Sequence, residues 1–306
     1  MFPGLTPFTV QTETSPGVVS IYGLKTDPPI PSLPTLLLLH GFPQNHRIWS
    51  RVAGLLAGRY NLVIIDLRGY GASSKPSSLA AYAKSAMARD CIAVMDAVLG
   101  PDGDRRFSVC AHDRGARVAH KLCVDHPARV QRVMLLDICP TLAMYAQTGL
   151  AFATAYFHWF FLIQPAPLPE TLVAAKPREF AQRFMGARQA QGAQVFDEAA
   201  FESYVGGLAD EETLHAMCQD YRASATLDLE EARADIAEGR LIRCPLRVFW
   251  GKHGVIEECF DAIKEWRAVT EEGVVVDGHS VDSGHYIPEQ IPDLLASKII
   301  DFFVEE

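Results

Sequence analysis

The stretch Cys110-Ala111-His112-Asp113-Arg114-Gly115 decides the fold, because it links an apolar, strand-like run at residues 107–110 to a helix-like segment. Small residues, Ala111 and Gly115, stand two positions to either side of Asp113. Such flanks are typical of a nucleophile elbow, a tight turn that makes the central side chain project from the edge of a sheet. The usual central residue is serine, and here it is aspartate. The alternative is that Asp113 merely caps the helix, which aspartate does well.

Similar apolar runs recur on both sides of this stretch. Continuous runs of this length are typical of parallel strands that are covered on both faces. Residues 8–14 and 18–24 predict an antiparallel hairpin at the sheet edge. The alternation of runs and helix-like segments predicts an α/β protein with a mostly parallel, eight-stranded sheet and helices on both faces. The other predicted strands cover residues 34–39, 62–65, 107–110, 133–136, 246–250 and 274–276, and the predicted helices cover residues 50–56, 79–99, 115–126, 256–269 and 288–303.

One long segment interrupts this alternation. From residue 142 to residue 240 no strand-like run appears, and the segment is rich in alanine and aromatic residues with helical periodicity. We predict a core formed by residues 1–141 and 241–306, and a helical cap formed by residues 142–240. Open α/β sheets bind ligands at the carboxyl ends of their strands, so we expect the cap to cover that edge.

Composition and charge exclude several classes of protein. Of 306 residues, 49% are hydrophobic, and 37 acidic side chains outnumber 28 basic ones. The chain therefore has ample material for a core, and its net charge of −9 disfavours nucleic-acid binding. Seven scattered cysteines are typical of reduced thiols in a cytosolic protein. No apolar run reaches the roughly 18–20 residues of a membrane span. A signal peptide begins with basic residues, whereas here no Lys or Arg precedes Lys25. We expect a soluble, cytoplasmic protein.

Two further residues, together with Asp113, supply the nucleophile, acid and base of a catalytic triad in the expected chain order. His285 follows the last predicted strand and is the candidate base, although such a histidine is often a satisfied core residue and His279 lies nearby. The acid that orients the base lies between nucleophile and base in the chain. The turn after residues 246–250 lacks a carboxylate, whereas Asp137 ends the strand at 133–136, where it could also be a simple turn residue.

An aspartate in place of serine changes the reaction that is possible. A carboxylate displaces a leaving group from a saturated carbon and becomes an ester. Water activated by His285 then hydrolyses that ester. Backbone N–H groups have to stabilise the tetrahedral intermediate, and the candidates are Arg114 and Phe42, because Pro43 has no N–H.

Arg114 and Arg117 indicate the substrate. They stand three residues apart at the start of a helix and so share one face. Cations there oppose the helix dipole by about 0.3–1 kcal/mol, so an anion beside the nucleophile would compensate them. Guanidinium groups match the geometry of a carboxylate. A carboxylate held by both arginines would have its α-carbon in front of Asp113, so a small anionic 2-halo acid fits as substrate. The alternative is salt bridges to local acids such as Asp66 or Asp137.

A departing halide needs hydrogen-bond donors. His158, Trp159 and Tyr221 offer ring N–H and phenol groups within the predicted cap. From composition alone, these aromatic side chains are more often core residues of a cap than a halide pocket.

At these residues the chain resembles the fluoroacetate (haloacetate) dehalogenases of the α/β-hydrolase superfamily. The resemblance implies the α/β-hydrolase fold and conversion of fluoroacetate or chloroacetate to glycolate and halide. It implies Asp113 as nucleophile, His285 as base and Asp137 as its partner. It also implies a homodimer without cofactor or metal. The matching stretches are His40-Gly41-Phe42-Pro43-Gln44-Asn45 with Trp49, Asp66-Leu67-Arg68-Gly69-Tyr70-Gly71, His112-Asp113-Arg114-Gly115 with Arg117, Leu136-Asp137-Ile138, His158-Trp159-Phe160-Phe161, Asp220-Tyr221-Arg222-Ala223 and Gly284-His285.

The resemblance also assigns the remaining roles: Arg114 and Arg117 would hold the carboxylate, and His158, Trp159 and Tyr221 would hold the halide. Ala111 and Ala116 stand where glycine is common in the family, which leaves pocket size and halide preference open.

An epoxide hydrolase is the main alternative, because it shares the aspartate nucleophile and the cap. It needs acids, usually cap tyrosines, to protonate the epoxide oxygen, and Tyr145, Tyr156, Tyr204 and Tyr221 are available. An epoxide needs no arginine clamp, however. The missing serine disfavours an esterase, and a binding module would have no reason to keep the three catalytic residues.

Overall fold

The structure is a computed structural model that describes residues 2–13, 17–100, 106–186 and 192–303. Its described residues form one eight-stranded sheet with the strand order β1-β2-β4-β3-β5-β6-β7-β8, in which the pairs β1–β2 and β2–β4 are antiparallel and the others are parallel. This confirms the mostly parallel sheet and the edge hairpin. The strands are β1 (Leu5–Glu13), β2 (Val18–Thr26), β3 (Thr35–Leu39), β4 (Asn61–Ile65), β5 (Phe107–His112), β6 (Val130–Leu136), β7 (Leu246–Gly251) and β8 (Val276–Val281).

Helices separate the strands from β3 onward and follow the last strand. Short 3-10 turns cover His46–Trp49, Leu79–Tyr82 and Gly192–Val195. The helices are α1 (Ser50–Leu56), α2 (Lys84–Leu99), α3 (Arg114–Asp125), α4 (Thr141–Ala146), α5 (Leu150–Ala155), α6 (Phe157–Phe161), α7 (Leu168–Ala174), α8 (Pro177–Gly186), α9 (Glu198–Ala209), α10 (Glu211–Ser224), α11 (Leu227–Ala237), α12 (Val255–Cys259), α13 (Ala262–Arg267), α14 (Ile287–Gln290) and α15 (Pro292–Phe303).

The sheet is buried on both faces, as its apolar strands predict. Neighbouring residues of a strand point to opposite faces. Leu37 and Leu39 of β3 therefore pack in the same core as α2 and α3, whereas Leu36 and Leu38 pack with α1 and α15. All four leucine side chains are fully buried.

The last strand is the main error in the predicted elements. We predict it at residues 274–276, but β8 runs from Val276 to Val281 and pairs with β7. The strand lies at the edge of the sheet and contains Asp277, Gly278 and His279, so it lacks the continuous apolar run that marks the central strands. Val275, on which the prediction relied, is 59% exposed.

Three predicted helices are interrupted. The helix predicted at 79–99 has a break at Ala83, where the backbone is extended. The helix predicted at 256–269 divides because Asp261 accepts a hydrogen bond from the Lys264 N–H and starts a new helix. The helix predicted at 288–303 restarts at Pro292, which has no N–H for the preceding turn. At the other end of the chain β1 begins at Leu5, and Thr14, the last residue of the first predicted strand, lies outside the described residues.

Helices α4 to α11 all lie between β6 and β7 in the chain, and we call them the insertion. The described part of this stretch contains no strand, in agreement with its helical periodicity. Its division from the core at residues 142 and 240 stays a prediction. In the part of the chain that the structure describes, no helix is both long enough and apolar enough to span a bilayer.

Candidate active site

Asp113 occupies a strained turn between β5 and α3. Its backbone has φ 45° and ψ −112°, a positive-φ conformation that side chains other than glycine rarely adopt and that costs about 1–3 kcal/mol. Its side chain does not cap α3, so the alternative of a simple helix cap is wrong. A Cβ atom added to Gly115 would lie 2.4 Å from the backbone oxygen of His40, which explains the small residue at that position.

The His40-Gly41-Phe42 loop lies directly against this turn. A Cβ atom added to Gly41 would lie 2.6 Å from the Cβ of Asp113 and 3.2 Å from the backbone nitrogen of Arg114. The loop is held in place because the Gly115 N–H donates to the His40 carbonyl at 2.8 Å. The two backbone segments that contain the predicted oxyanion donors, Phe42 and Arg114, are therefore neighbours.

His285 and Asp137 lie next to Asp113, as the sequence predicts. His285 Nε2 is 3.7 Å from Asp113 Oδ2, and its other ring nitrogen, Nδ1, is 2.5 Å from Asp137 Oδ2. Asp137 directly follows β6 and has φ 54°, and its Oδ1 accepts a hydrogen bond from the Gly251 N–H at 2.8 Å. His112 contributes a contact that the sequence analysis did not identify, because its Nε2 lies 2.8 Å from the His285 carbonyl oxygen.

The charges of this group favour ionised Asp113. Burial alone would raise the pKa of Asp113, but the hydrogen bond and charge of His285, together with Arg117 and Arg114, lower it to about 2. Burial would lower the pKa of His285, yet hydrogen bonds and charges from Asp113 and Asp137 raise it. Burial and the neighbouring His285 lower the pKa of His112 to about 3, so His112 stays neutral.

Arg114 is fully buried and paired, but not with the acids proposed from the sequence. Its Nε and Nη2 donate to the two carboxylate oxygens of Asp220, at 2.9 and 2.8 Å, and Nη2 also reaches Ser224 Oγ at 2.7 Å. Asp66 instead contacts His46, and Asp137 contacts His285. The third nitrogen of Arg114, Nη1, is buried and has no hydrogen-bond partner among the described residues.

Arg117 is buried without a carboxylate partner within 4 Å in the described chain. Its Nη1 donates to Thr141 Oγ1 at 2.8 Å, and its Nε has no partner among the described residues. Burial, followed by repulsion from Arg114, lowers its pKa. Two guanidinium groups whose charges lower the pKa of Asp113 thus each have a buried nitrogen without a described partner, an arrangement that an anion would stabilise.

The three predicted halide donors are buried around the two arginines. The Tyr221 ring centroid lies 4.3 Å from the Arg114 guanidinium carbon, and the Trp159 ring centroid lies 4.5 Å from that of Arg117. His158 is 5.7 Å from Tyr221 between ring centroids and stacks on Phe42 at 6.2 Å. The structure thus brings all the predicted side chains together at one site, at the carboxyl ends of β3, β5 and β6.

Two tyrosines of the insertion add hydroxyl groups to this site. The Tyr156 hydroxyl lies 3.4 Å from His285 Nδ1. The Tyr145 hydroxyl is buried without a hydrogen-bond partner among the described residues, and burial raises its pKa to about 12. From the sequence, both are candidates only for the acid that protonates an epoxide. Asp220 carried a usable sequence signal, since it stands beside Tyr221 in the stretch Asp220-Tyr221-Arg222-Ala223 that resembles the family.

Comparisons with known proteins agree with this geometry. A family model for the α/β hydrolase fold matches residues 34–207. The chain is 39% identical to a fluoroacetate dehalogenase from Burkholderia sp over 88% of this chain and 86% of the relative. It is 27% identical to a soluble epoxide hydrolase from Corynebacterium sp. (strain C12) over 88% and 89%. A solved structure from Nostoc sp PCC 7120, assigned to the α/β hydrolases, has a TM-score of 0.89 and 39% identity, and each chain is covered completely. This protein is a hydrolase and belongs to the haloacetate dehalogenase family of the α/β-hydrolase superfamily.

Proposed function

We propose that this protein hydrolyses the carbon–halogen bond of short 2-halo acids, such as fluoroacetate and chloroacetate, through an ester on Asp113. The observation that carries the proposal is the pair of buried guanidinium groups with unsatisfied nitrogens next to an ionised, strained aspartate. A carboxylate held by Arg114 and Arg117 places its α-carbon in front of Asp113. The Burkholderia relative, a fluoroacetate dehalogenase, supports the same substrate class.

In the first step a carboxylate oxygen of Asp113 attacks the α-carbon from the side opposite the halogen. The new C–O bond forms as the carbon–halogen bond breaks, and the halide leaves with the bonding electron pair. Because Asp113 has a pKa of about 2, it is ionised at neutral pH and ready to attack. His158, Trp159 and Tyr221 are the donors proposed for the halide, whose charge develops only as the bond breaks. The configuration at a chiral α-carbon inverts.

In the second step water hydrolyses the ester. His285 Nε2 accepts a proton from the water while Asp137, 2.5 Å from Nδ1, keeps the ring oriented and stabilises its positive charge. The hydroxide attacks Cγ of Asp113, and the backbone N–H groups of Phe42 and Arg114 are the proposed donors to the tetrahedral oxygen. Collapse breaks the ester bond, and the 2-hydroxy acid takes the proton from His285. Asp113 then releases the remaining proton of the water to solvent and is regenerated as a carboxylate.

Epoxide hydrolysis is the second candidate. The Corynebacterium relative and the Tyr145 hydroxyl without a described partner favour it. An epoxide is uncharged, however, and would leave Arg117 buried without an anion, which is costly. The two arginines therefore favour an acid over an epoxide as substrate.

Halide release tests the proposal. Purified protein is mixed with fluoroacetate, chloroacetate or a small epoxide, and fluoride, chloride or diol is measured. We expect halide from one or both acids. Replacing Asp113 with asparagine should lower halide release at least about 1000-fold, because no ester can form. If the epoxide gave diol and neither acid released halide, the epoxide would be favoured over the acids as substrate.

Trapping the ester tests the role of His285. His285→Asn should still release one halide per site and then stop, since the ester forms but is not hydrolysed. Mass spectrometry of a digest should find a carboxymethyl group on the peptide that contains Asp113. The double variant with Asp113→Asn is the control and should carry no adduct. An unmodified Asp113 peptide after halide release would contradict the mechanism.

A further inference from the structure

Asp220 is the most heavily used polar side chain near the proposed substrate site. It is fully buried in α10 of the insertion. Besides Arg114, it accepts from the Lys84 ammonium at 2.5 Å and from the Tyr70 hydroxyl at 2.7 Å. Arg114 Nη2 also donates to the backbone oxygen of Asp220 at 2.8 Å. One carboxylate thus joins α10 to the starts of α2 and α3.

This contact fixes both the position and the rotation of the Arg114 guanidinium. A bidentate bond through Nε and Nη2 holds the planar group along one edge. Nη1 is then left on the other edge without a described partner. The neighbouring residue in α10, Tyr221, covers the face of the same guanidinium at 4.3 Å. The insertion therefore holds Arg114 from its edge and its face, and leaves one nitrogen for a ligand.

We infer that Asp220 is a positioning residue for carboxylate binding: it orients Arg114 so that Nη1 faces the substrate acid, and Lys84 donates a further hydrogen bond to Oδ1 of the same carboxylate. The inference rests on the proposed function for the identity of the acid. Carboxylate binding then depends both on α3, which contains Arg114, and on the insertion, because Asp220 belongs to α10.

Lys84 has a second partner, which makes it separable from Asp220. Its ammonium lies 3.2 Å from Asp228 Oδ2 in α11, and the Asp228 carboxylate also accepts the Ser224 hydroxyl at 2.9 Å. Replacing Asp220 alone removes one negative charge and leaves an amide facing two cations. Replacing Lys84 and Asp220 together keeps the net charge of the site unchanged. Any loss of acid binding in the double variant then comes from the orientation of Arg114.

The test compares an anionic with a neutral substrate. In Lys84→Met/Asp220→Asn we expect KM for chloroacetate to rise about 10- to 100-fold, with a much smaller change in kcat. The KM for the neutral analogue chloroacetamide should change by less than about threefold. Asp220→Asn alone should also raise KM for chloroacetate, although it makes the site more positive. Tighter binding of chloroacetate in that variant would overturn the inference, because it would show that Asp220 acts only through its charge.

Asp90→Asn is the matched control, because Asp90 forms an equally buried bidentate pair with Arg68, at 2.8 and 2.7 Å, outside the site. It should destabilise the fold without changing the ratio of the two KM values. Equal changes for both substrates in the double variant, or the same split in Asp90→Asn, would also overturn the inference. When the Asp220 and Asp90 variants are made in the Asp113→Asn background, calorimetry with chloroacetate measures binding without turnover. If wild-type protein released no halide, the proposed function would fail, and this binding comparison would still decide the role of Asp220.

Discussion

At the scale of single residues, the proposed reaction needs Asp113 to be charged and His285 to be neutral. In the proposed mechanism the attack needs ionised Asp113, and its pKa of about 2 keeps it ionised well below neutral pH. Ester hydrolysis needs neutral His285, whose pKa is raised by the hydrogen bonds and charges of Asp113 and Asp137 despite its burial. Once the ester forms, Asp113 no longer carries a charge. The pKa of His285 should then fall below its value in the free enzyme, which favours the neutral base when it is needed.

Acidic conditions should therefore separate the two steps. Below the pKa of His285 in the ester state, Asp113 still attacks but the protonated imidazole cannot accept a proton from water. We expect a burst of about one halide per site at pH about 5, followed by slow release, and no burst phase at pH about 8. Rapid-quench measurement of halide checks this. A slow, burst-free time course at low pH would show that the attack is the step that fails, and Asp113→Asn provides the baseline.

At the scale of elements, the contact between α3 and the loop after β3 sets the position of Asp113, the proposed nucleophile. Gly115 lies so close to the His40 carbonyl that no side chain fits, because the obstacle is backbone rather than a flexible side chain. The α3 helix therefore begins with its first turn pressed against β3. Asp113, with its positive φ, lies at the junction between β5 and this first turn.

Gly115→Ala should destabilise the protein by about 2–4 kcal/mol and reduce halide release, because α3 has to move away from His40. Gly54→Ala in α1 is the matched control, since a Cβ there meets no atom within 4 Å. That change should be neutral or stabilise by about 0.5–1 kcal/mol, as alanine favours the helix. Urea unfolding measures both. Similar unfolding free energies for the two variants would remove the steric explanation.

At the scale of the whole molecule, a buried acid links the insertion to the core behind His285. Glu289 accepts a hydrogen bond from Tyr204 of α9 at 3.0 Å and another from Gln44. Burial raises its pKa to about 8, so it is protonated at neutral pH. Its pKa is higher in the folded than in the unfolded protein. Its contribution to stability is thus complete below about pH 4.5 and is lost as the pH rises to about 8.

Glu289→Gln should remove this dependence on pH, because glutamine keeps the shape of the protonated acid without titrating. We expect the variant to have a higher Tm than the wild type at pH about 9 and a similar Tm at pH about 5. Thermal unfolding across this range checks the sign. A Tm that is lower in the variant by the same amount at both pH values would mean that Glu289 acts only through packing and hydrogen bonds.

The central strands, and the grouping of the three candidate catalytic residues at one site, could be predicted from the sequence because their signals are local. Leu36 to Leu39 form a continuous buried run, and Asp113, Asp137 and His285 each follow a strand or stand near its end. Edge strand β8 could not be placed, since one exposed face removes the apolar run. The partner of Arg114 could not be found either, because Asp220 lies 106 residues away in the sequence and meets it only in the folded chain. The expected homodimer and cytoplasmic location stay predictions.

The two buried guanidinium groups also bear on how turnover ends. They would bind the carboxylate, which the reaction leaves unchanged. The hydroxy acid product therefore has the same binding group as the halo acid substrate. Acetate and related metabolic acids carry it too. Such compounds should compete for the site, and selectivity must then come from the aromatic donors around the departing atom rather than from the arginines.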